Sequence, residues 1–307
     1  MIAILGAGGP IGEGLAQRFA AGGIRYRNVS RTPTAAPGGE SVSADLSDAA
    51  ATLAAVDGCD TVCLVAGLKY DIAVWRDLWP RIMSNVIAAC SRKNAKLLFF
   101  DNVYSYGLVE GEMTETTPYR PVSKKGAVRA GIATQLMDQV RAGNLTAMIA
   151  RCADFFGLRV KNSVPNQFVF EPYSKGGTAS WLGRADVPHS LTFVPDAVRG
   201  VTTLLADVAA WNQIWHLPTA PNPLTGAEFM RQAAAAFDVP AKHRVIGRFM
   251  LTVAGWFNAD ARESVEMLYQ WEAPYRFSSS KFATAFGFGG TPYAESIRAT
   301  ADAYKLS

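Results

Sequence analysis

Four glycines near the start of the chain have a spacing that can bind phosphate. Met1–Leu5 is an uninterrupted apolar run, which predicts a strand buried on both faces. The glycines follow at Gly6, Gly8, Gly9 and Gly12, and an apolar helical face follows them at Ile11, Leu15 and Phe19. Because glycine lacks a Cβ, an anion can approach the main chain, and the first N–H groups of the helix point at the same place. The order strand, glycine turn, helix therefore predicts a site for a dinucleotide pyrophosphate, formed by Gly6, Gly8, Gly9, Pro10, Ile11 and Gly12.

A second candidate lies at the end of the next predicted strand, Ile24–Ser30. In a fold that binds dinucleotides, an acidic residue at this point would bind the ribose 2′-hydroxyl of NAD. This chain has Arg31 instead, and a guanidinium can bind a 2′-phosphate through two parallel hydrogen bonds. Arg31 therefore predicts NADP over NAD. The alternative is an arginine that only faces solvent.

Two more pairs of residues are predicted to lie along the cofactor. Asp45 and Leu46 end a short strand predicted at 42–46 and are expected near the adenine. Ala66 ends the strand predicted at 61–66, and Gly67 follows it. Small residues there let a cofactor pass close to the backbone.

Strands and helices alternate along the first half of the chain. Apolar runs at 96–100 and 147–152 predict further strands, and repeats at helical spacing separate the strands. This alternation predicts an α/β fold, a Rossmann-type doubly wound parallel sheet. We expect residues 1–157 to form a dinucleotide-binding domain, completed by 189–217, and residues 158–307 to form a smaller C-terminal substrate-binding region.

Composition excludes several functions. The net charge of +4 is small and scattered, which argues against a nucleic-acid partner. No apolar run is long enough for a membrane span, so no membrane partner is expected. The four cysteines lack metal-ligand spacing and predict buried thiols in a reducing, cytoplasmic setting, with no metal. His216, in an apolar strand, is predicted to be a hydrogen-bonded core residue.

Further motifs accompany the glycine turn: 45–46 (DL), 65–67 (VAG), 103–107 (VYSYG), 151–157 (RCADFFG), 189–196 (HSLTFVPD) and 224–229 (LTGAEF). With them the chain resembles the extended or atypical short-chain dehydrogenase/reductases of the NAD(P)-dependent epimerase/dehydratase family. The resemblance implies a small polar substrate, hydride transfer at a hydroxyl or carbonyl carbon, and a homodimer formed through two helices of the sheet.

The expected catalytic residues of that family are replaced. Its usual Ser, Tyr and Lys fall on Asn102, Lys125 and Arg129 of this sequence. The resemblance implies that Arg129 holds the cofactor ribose and that Lys125, with Asn102 and Tyr104, faces the substrate. Lys125 and Arg129 are one helical turn apart and repel each other. A cofactor phosphate, a substrate carboxylate or Asp101 could offset this repulsion, or solvent could screen it.

Two functions stay open at this stage. One is an NADP-dependent oxidoreductase or epimerase in which Lys125 serves as proton donor or base. The other is a catalytically inactive NADP-binding sensor or regulator, which the missing Tyr and Ser favour. Turnover of a substrate would distinguish the two.

Overall fold

A computed structural model describes residues 1–158, 160 and 163–306. The strands of these ranges are β1 (Ile2–Leu5), β2 (Tyr26–Ser30), β3 (Glu40–Ser43), β4 (Thr61–Leu64), β5 (Lys96–Asp101), β6 (Glu112–Met113), β7 (Ala147–Arg151), β8 (Asp154–Phe156), β9 (Ala179–Leu182), β10 (Leu191–Phe193), β11 (Ile214–His216), β12 (His243–Ile246) and β13 (Arg276–Phe277). The helices are α1 (Pro10–Ala21), α2 (Ala49–Ala55), α3 (Ile72–Lys93), α4 (Lys124–Arg141), α5 (Glu171–Ser174), α6 (Val194–Ala206), α7 (Gly226–Ala236), α8 (Arg248–Phe257), α9 (Ala259–Val265), α10 (Tyr269–Glu272), α11 (Ser280–Phe286) and α12 (Tyr293–Lys305).

The chain divides into two compact units. The first unit comprises Met1–Ser105, Lys124–Arg151 and Val198–Trp215. The second comprises Tyr106–Ser123, Cys152–Ala197 and His216–Ser307. Each unit is therefore built from several separate segments of the chain.

The first unit contains the central sheet, which in the described chain has seven strands in the order β11-β7-β5-β4-β1-β2-β3. The pairs from β7 to β3 are parallel. From β1 the chain moves outward to β2 and β3, and then returns to place β4 on the other side of β1. This reversal is the mark of a doubly wound sheet. The predicted Rossmann-type α/β fold is confirmed.

Apolar strands explain why this sheet is parallel and central. In β1 and β4 the last three residues of each strand are fully buried. Such strands need a helix layer on both faces, which the helical crossovers supply. Trp75 and Trp79 of α3 are buried core residues, and Pro80 lies inside this helix.

Several predicted strand boundaries change. The strand predicted at 61–66 ends at Leu64, and the one predicted at 147–152 ends at Arg151. The second strand begins at Tyr26, because the chain turns after α1 through Gly22 and Gly23. The third strand is β3 and ends at Ser43, before the predicted 42–46 segment is complete. It ends because the Ser47 amide turns back to donate to the Asp45 carboxylate.

The second unit is built from small parallel strand pairs and an aromatic core. β8 pairs with β10, β9 with β12, and β6 with β13. These pairings explain why its segments differ from the predicted division into 1–157 and 158–307: residues 106–123 and 152–157 carry β6 and β8, whose partner strands lie later in the chain. Within the region predicted at 158–307, residues 159, 161, 162 and 307 lie outside the described residues.

Candidate active site

The predicted functional residues of the first unit follow the carboxyl ends of neighbouring strands. Gly6 follows β1, Arg31 follows β2, and Asn102 follows β5. Ala66 and Gly67 come two and three residues after β4. Carboxyl ends of parallel strands meet at one edge of the sheet, and ligands of this architecture bind where the strand order reverses. The reversal here lies between β1 and β4, directly at the glycine turn.

Two positions of this turn require glycine. Gly6 has a positive φ of +99°, and a Cβ there would lie 2.3 Å from the Cα of Ala66. A Cβ at Gly12 would lie 2.7 Å from the Cα of Ala7. Real Cβ atoms do not approach backbone so closely, so both glycines allow α1 and β4 to pack tightly against the turn. This contact also brings Ala66 to the glycine turn.

The other two glycines leave space for a ligand. A Cβ at Gly8 would meet only the Thr34 methyl group, at 3.5 Å, and one at Gly9 would meet only the Gly6 oxygen, at 3.8 Å. Gly9 precedes α1, Pro10 occupies its first turn, and no side chain in the described ranges caps this helix. The N–H groups of Ile11 and Gly12 therefore point from an uncapped helix end toward the open side of the turn. These features fit a pyrophosphate.

Arg31 is exposed, and among the described residues its guanidinium has no hydrogen bond or ion pair. Its backbone is fixed because the Ser43 hydroxyl donates to the Arg31 carbonyl oxygen at 2.8 Å. Nearby Asp45 is also exposed. The Ser47 backbone amide is the main cause that lowers the pKa of the Asp45 carboxyl, and the charge of Arg31 lowers it further. The ionised carboxylate of Asp45 therefore lies near the guanidinium of Arg31.

Leu46 and Gly67 differ in exposure. Leu46 is buried, and its carbonyl oxygen accepts hydrogen bonds from the Asn85 amide at 3.0 Å and the Thr52 hydroxyl at 3.1 Å. This anchors the segment after β3 to α2 and α3. Gly67 is exposed, and an added Cβ would meet no atom within 4 Å.

A buried carboxylate joins three elements beside the predicted catalytic residues. Asp101, at the end of β5, accepts hydrogen bonds from Arg129 Nε at 2.7 Å and Arg151 Nε at 3.1 Å. The side chains of Asp101 and Arg151 are fully buried, and that of Arg129 is 5 % exposed. Of the groups that could have offset the repulsion between Lys125 and Arg129, Asp101 is the one that pairs with Arg129. Arg129 also lies over Trp79, 4.5 Å from the ring centroid.

Lys125 is buried, away from the solvent that could have screened its repulsion with Arg129. Its residue is 0 % exposed, and its ammonium nitrogen lies 4.6 Å from the centroid of the Tyr70 ring. A cation over an aromatic face gains electrostatic stabilisation. Asp71 is also near: hydrogen bonds from the backbone amides of Val74 and Ala73 are the main causes that lower the pKa of its carboxyl, and the charge of Lys125 adds to them.

The remaining predicted catalytic residues lie in one turn after β5. Asn102 Oδ1 accepts a hydrogen bond from the Tyr104 amide at 3.0 Å, which directs the amide end of this side chain away from the turn. The Tyr104 ring stacks on Trp75 at 6.3 Å, and Trp75 meets Tyr70 edge-on at 5.7 Å. Tyr104 and Lys125 are thus connected through two aromatic rings.

Sequence reasoning missed two partners of this site. The pairing of Arg151 with a carboxylate could have been predicted, because a charged residue inside the apolar run 147–152 needs a counter-charge when it is buried. The contact of Tyr70 with Lys125 could not have been predicted, since Tyr70 lies in an irregular segment between β4 and α3. For that reason the aromatic surface under Lys125 could not be predicted.

His216 is the hydrogen-bonded core residue that the sequence predicted. It is fully buried, with Nδ1 2.7 Å from the Ser278 carbonyl oxygen and Nε2 2.8 Å from the Tyr106 hydroxyl. Since a carbonyl only accepts, Nδ1 carries the proton and Nε2 accepts from Tyr106 in the neutral ring. Within the described ranges, no group of three or more His, Cys, Asp or Glu residues could hold a metal ion, and no helix is long and apolar enough to cross a membrane.

The fold and this edge define a Rossmann-type protein whose glycine turn has the geometry of a dinucleotide-binding site. The family model described as "NAD dependent epimerase/dehydratase family" matches residues 2–216. The chain belongs to this family of oxidoreductases and epimerases. No curated protein matches the sequence.

Solved structures show the same fold over the full chain. UDP-glucose 4-epimerase of Thermus thermophilus, in complex with NAD, has a TM-score of 0.81 at 17% identity. The match covers 99% of this chain and 98% of the epimerase chain. A dTDP-glucose 4,6-dehydratase of Streptomyces venezuelae, with NAD and DAU bound, has a TM-score of 0.79 at 17% identity and coverages of 99% and 97%. UDP-N-acetylglucosamine 4-epimerase of Bacillus cereus has a TM-score of 0.77 at 15% identity and coverages of 99% and 98%.

We predict that Asp101→Ala destabilises the protein by about 3–5 kcal/mol, because it leaves two buried guanidinium groups without their counter-charge. Urea unfolding followed by circular dichroism measures the effect. The matched control is Asp138→Ala, which removes an exposed carboxylate that pairs with Arg141 on the same helix as Arg129. An exposed pair contributes at most about 1 kcal/mol. Equal losses in the two variants would contradict the role given to Asp101.

Proposed function

We propose that this protein is an NADP-dependent oxidoreductase or epimerase that transfers hydride at a hydroxyl or carbonyl carbon of a small polar substrate. The observation that carries the proposal is the open glycine turn before the uncapped helix α1, with an exposed arginine after the neighbouring strand. When bound, the nicotinamide ring supplies or accepts the hydride.

The residues after β1 to β4 would hold the cofactor. The pyrophosphate would lie against the main chain of Gly6, Gly8, Gly9, Pro10, Ile11 and Gly12. The amides of Gly8, Ile11 and Gly12 would donate to it, because the Gly6 amide already donates to the Val29 carbonyl oxygen, the Gly9 amide donates to the Gly6 carbonyl oxygen, and proline has no N–H. Arg31 would bind the 2′-phosphate, and Asp45 and Leu46 would flank the adenine. Ala66 and Gly67 would let the cofactor pass close to the backbone. In support of NADP, the Arg31 guanidinium is exposed and, in the described chain, has no hydrogen-bond partner.

Lys125 would move the proton that accompanies hydride transfer. An ammonium group can donate a proton from Nζ to an oxygen that gains negative charge, and the neutral amine can take it back. The Tyr70 ring beneath the lysine fixes the position of this group. Asn102 and Tyr104 would orient the substrate through the amide and hydroxyl groups of the turn after β5.

Arg129 has a different part in this proposal from the one implied by the resemblance. Its Nε hydrogen bond to Asp101 and its place over Trp79 support a role in fixing α4. Any contact with the cofactor ribose would therefore be made by a guanidinium already bound to a carboxylate. Lys125, one turn earlier on α4, would be held in place by the same interaction.

The second candidate function is a sensor or regulator that binds NADP without turnover. The engagement of Arg129 by Asp101 favours it, because an arginine bound in this way is less available to the cofactor. Binding of both oxidised and reduced cofactor, with no turnover of alcohols, aldehydes or nucleotide sugars, would support this function.

The partners proposed are a small-molecule substrate and a second copy of the chain. The structural relatives include enzymes whose names specify nucleotide sugars, which supports a polar, sugar-like substrate. All four cysteines are free and buried, which supports a reducing location such as the cytoplasm.

We predict that Arg31→Ala weakens NADPH binding by about 10-fold to 100-fold, the loss expected for charge-assisted hydrogen bonds to a phosphate. NADH binding should not change, because NADH lacks the 2′-phosphate. Isothermal titration calorimetry measures both constants. Arg92→Ala is the control, since Arg92 is exposed in the last turn of α3. Equal affinity of the wild-type protein for NADH and NADPH would overturn the role of Arg31.

We predict that Lys125→Met lowers turnover by about 100-fold or more while the dissociation constant of NADPH changes little, because a proton donor is lost but the cofactor site remains. Steady-state kinetics on the first substrate found in a nucleotide-sugar, alcohol and aldehyde panel measures turnover. The neighbouring exposed Lys124→Met serves as control. Unchanged turnover in Lys125→Met would remove this lysine from the mechanism.

A further inference from the structure

Helix α8, in the second unit, presents an apolar face to solvent. Its inward side carries Leu251 and Gly255, which are buried, and a Cβ at Gly255 would lie 3.0 Å from the Arg262 backbone of α9. The outward side is also apolar: Phe249 is 81 % exposed, Met250 52 %, Trp256 74 % and Phe257 87 %. A helix with apolar residues on both sides is expected where a second surface covers it.

The four exposed side chains form one stripe. Phe249 and Met250 begin the stripe, half-buried Val253 lies at its middle, and Trp256 and Phe257 end it, at spacings of three and four residues. Isolated exposed apolar residues such as Val208 are ordinary on a protein surface. A contiguous set with three aromatic rings is not, and it marks an interaction site.

The size of the stripe fits a pairing of two copies. Since an aromatic side chain buries about 150–250 Å², these four residues expose on the order of 500 Å². One such face is too small for a stable interface. Two of them bury on the order of 1,000 Å², which is about the smallest area of a specific protein interface.

The stripe is also symmetric about its centre. Two α8 helices can cross antiparallel with their Val253 residues in contact. Each residue before Val253 in one copy then faces the residue that lies equally far after Val253 in the other copy. Phe249 then faces Phe257 of the second copy, and Met250 faces Trp256 of the second copy. Both combinations are favourable, as an aromatic pair and as a thioether–aromatic contact. The sequence of α8 therefore complements itself, as an interface with two-fold symmetry requires.

Charge around the stripe gives no attraction to an anionic membrane. Residues 242–272 contain four basic side chains (Lys242, Arg244, Arg248 and Arg262) and four acidic ones (Asp260, Glu263, Glu266 and Glu272). Segments that bind anionic lipid have a surplus of Lys and Arg.

We propose that the outward face of α8 is an interface between two copies of this chain, in which the helices cross antiparallel at Val253. The interface is separate from the dimer through helices of the sheet that the family resemblance implies, because α8 belongs to the second unit. It does not depend on the identity of cofactor or substrate.

Cross-linking of Val253→Cys tests this face directly. In the proposed interface the introduced thiol lies at the two-fold axis, next to the same thiol of the second copy. A short bismaleimide should therefore link two full-length chains. The native cysteines are buried and will react slowly. Val208→Cys, whose position is 84 % exposed outside the stripe, is the matched control. Cross-linking of the Val253 variant at least 10-fold faster than the control supports the interface, and equal rates overturn it.

A charge exchange tests the antiparallel register. In F249K/F257K, lysines face lysines across the axis, and we expect the dissociation constant of the α8 contact to rise at least 10-fold in sedimentation velocity. In F249K/F257E, each lysine faces a glutamate, and association should recover. Both positions are exposed, so the thermal unfolding midpoint verifies that the variants fold. Equal weakening of both variants contradicts the register. A wild-type chain that does not associate through α8 but binds phosphatidylcholine vesicles overturns the proposal in favour of a membrane.

Discussion

The carboxylate of Asp101 between two buried arginines is the interaction on which the geometry of the candidate active site depends. Asp101 ends β5, Arg129 lies on α4 and Arg151 ends β7, so a single side chain connects two strands and the helix that crosses between them. The group carries a net positive charge, and burial makes each charge costly unless it is paired. The arrangement is therefore stable only when all three residues keep their positions.

This constraint extends to the residues with proposed chemical roles. Lys125 precedes Arg129 by one turn of α4, and Asn102 follows Asp101 directly. The Asp101 carboxylate also accepts the Asn102 amide at 2.8 Å, which begins the turn that carries Tyr104. Fixing Asp101 thus fixes the start of the turn on one side and the first turn of the helix on the other. The positions come from a buried ion pair, while the side chains of Lys125 and Tyr104 also contact aromatic rings.

Much of the fold of the first unit could be predicted from the sequence, because buried parallel strands leave long apolar runs and Gly6 marks the first crossover. The strand pairs of the second unit could not, since β6 and β13 have two residues each and their pairing joins segments far apart in the chain. For the site, the glycine turn and Arg31 follow from local sequence. The burial of Lys125 does not, because a lysine is ordinarily exposed, whereas the buried face of α4 contains Lys125 and Arg129 beside the apolar Ile132 and Leu136.

A lysine at the position of a tyrosine changes the electrostatics of proton transfer. A phenol donor is neutral before it gives up its proton and negative afterwards, whereas an ammonium is positive before and neutral afterwards. In the proposed mechanism the lysine would therefore stabilise negative charge on a substrate oxygen before the proton moves. In this chain the second cation, Arg129, is neutralised by Asp101. The replacement of the usual Tyr and Lys by Lys125 and Arg129 is consistent with this role of Lys125. Because the proposed donor carries its own positive charge, the neighbouring Arg129 can instead hold the helix in place.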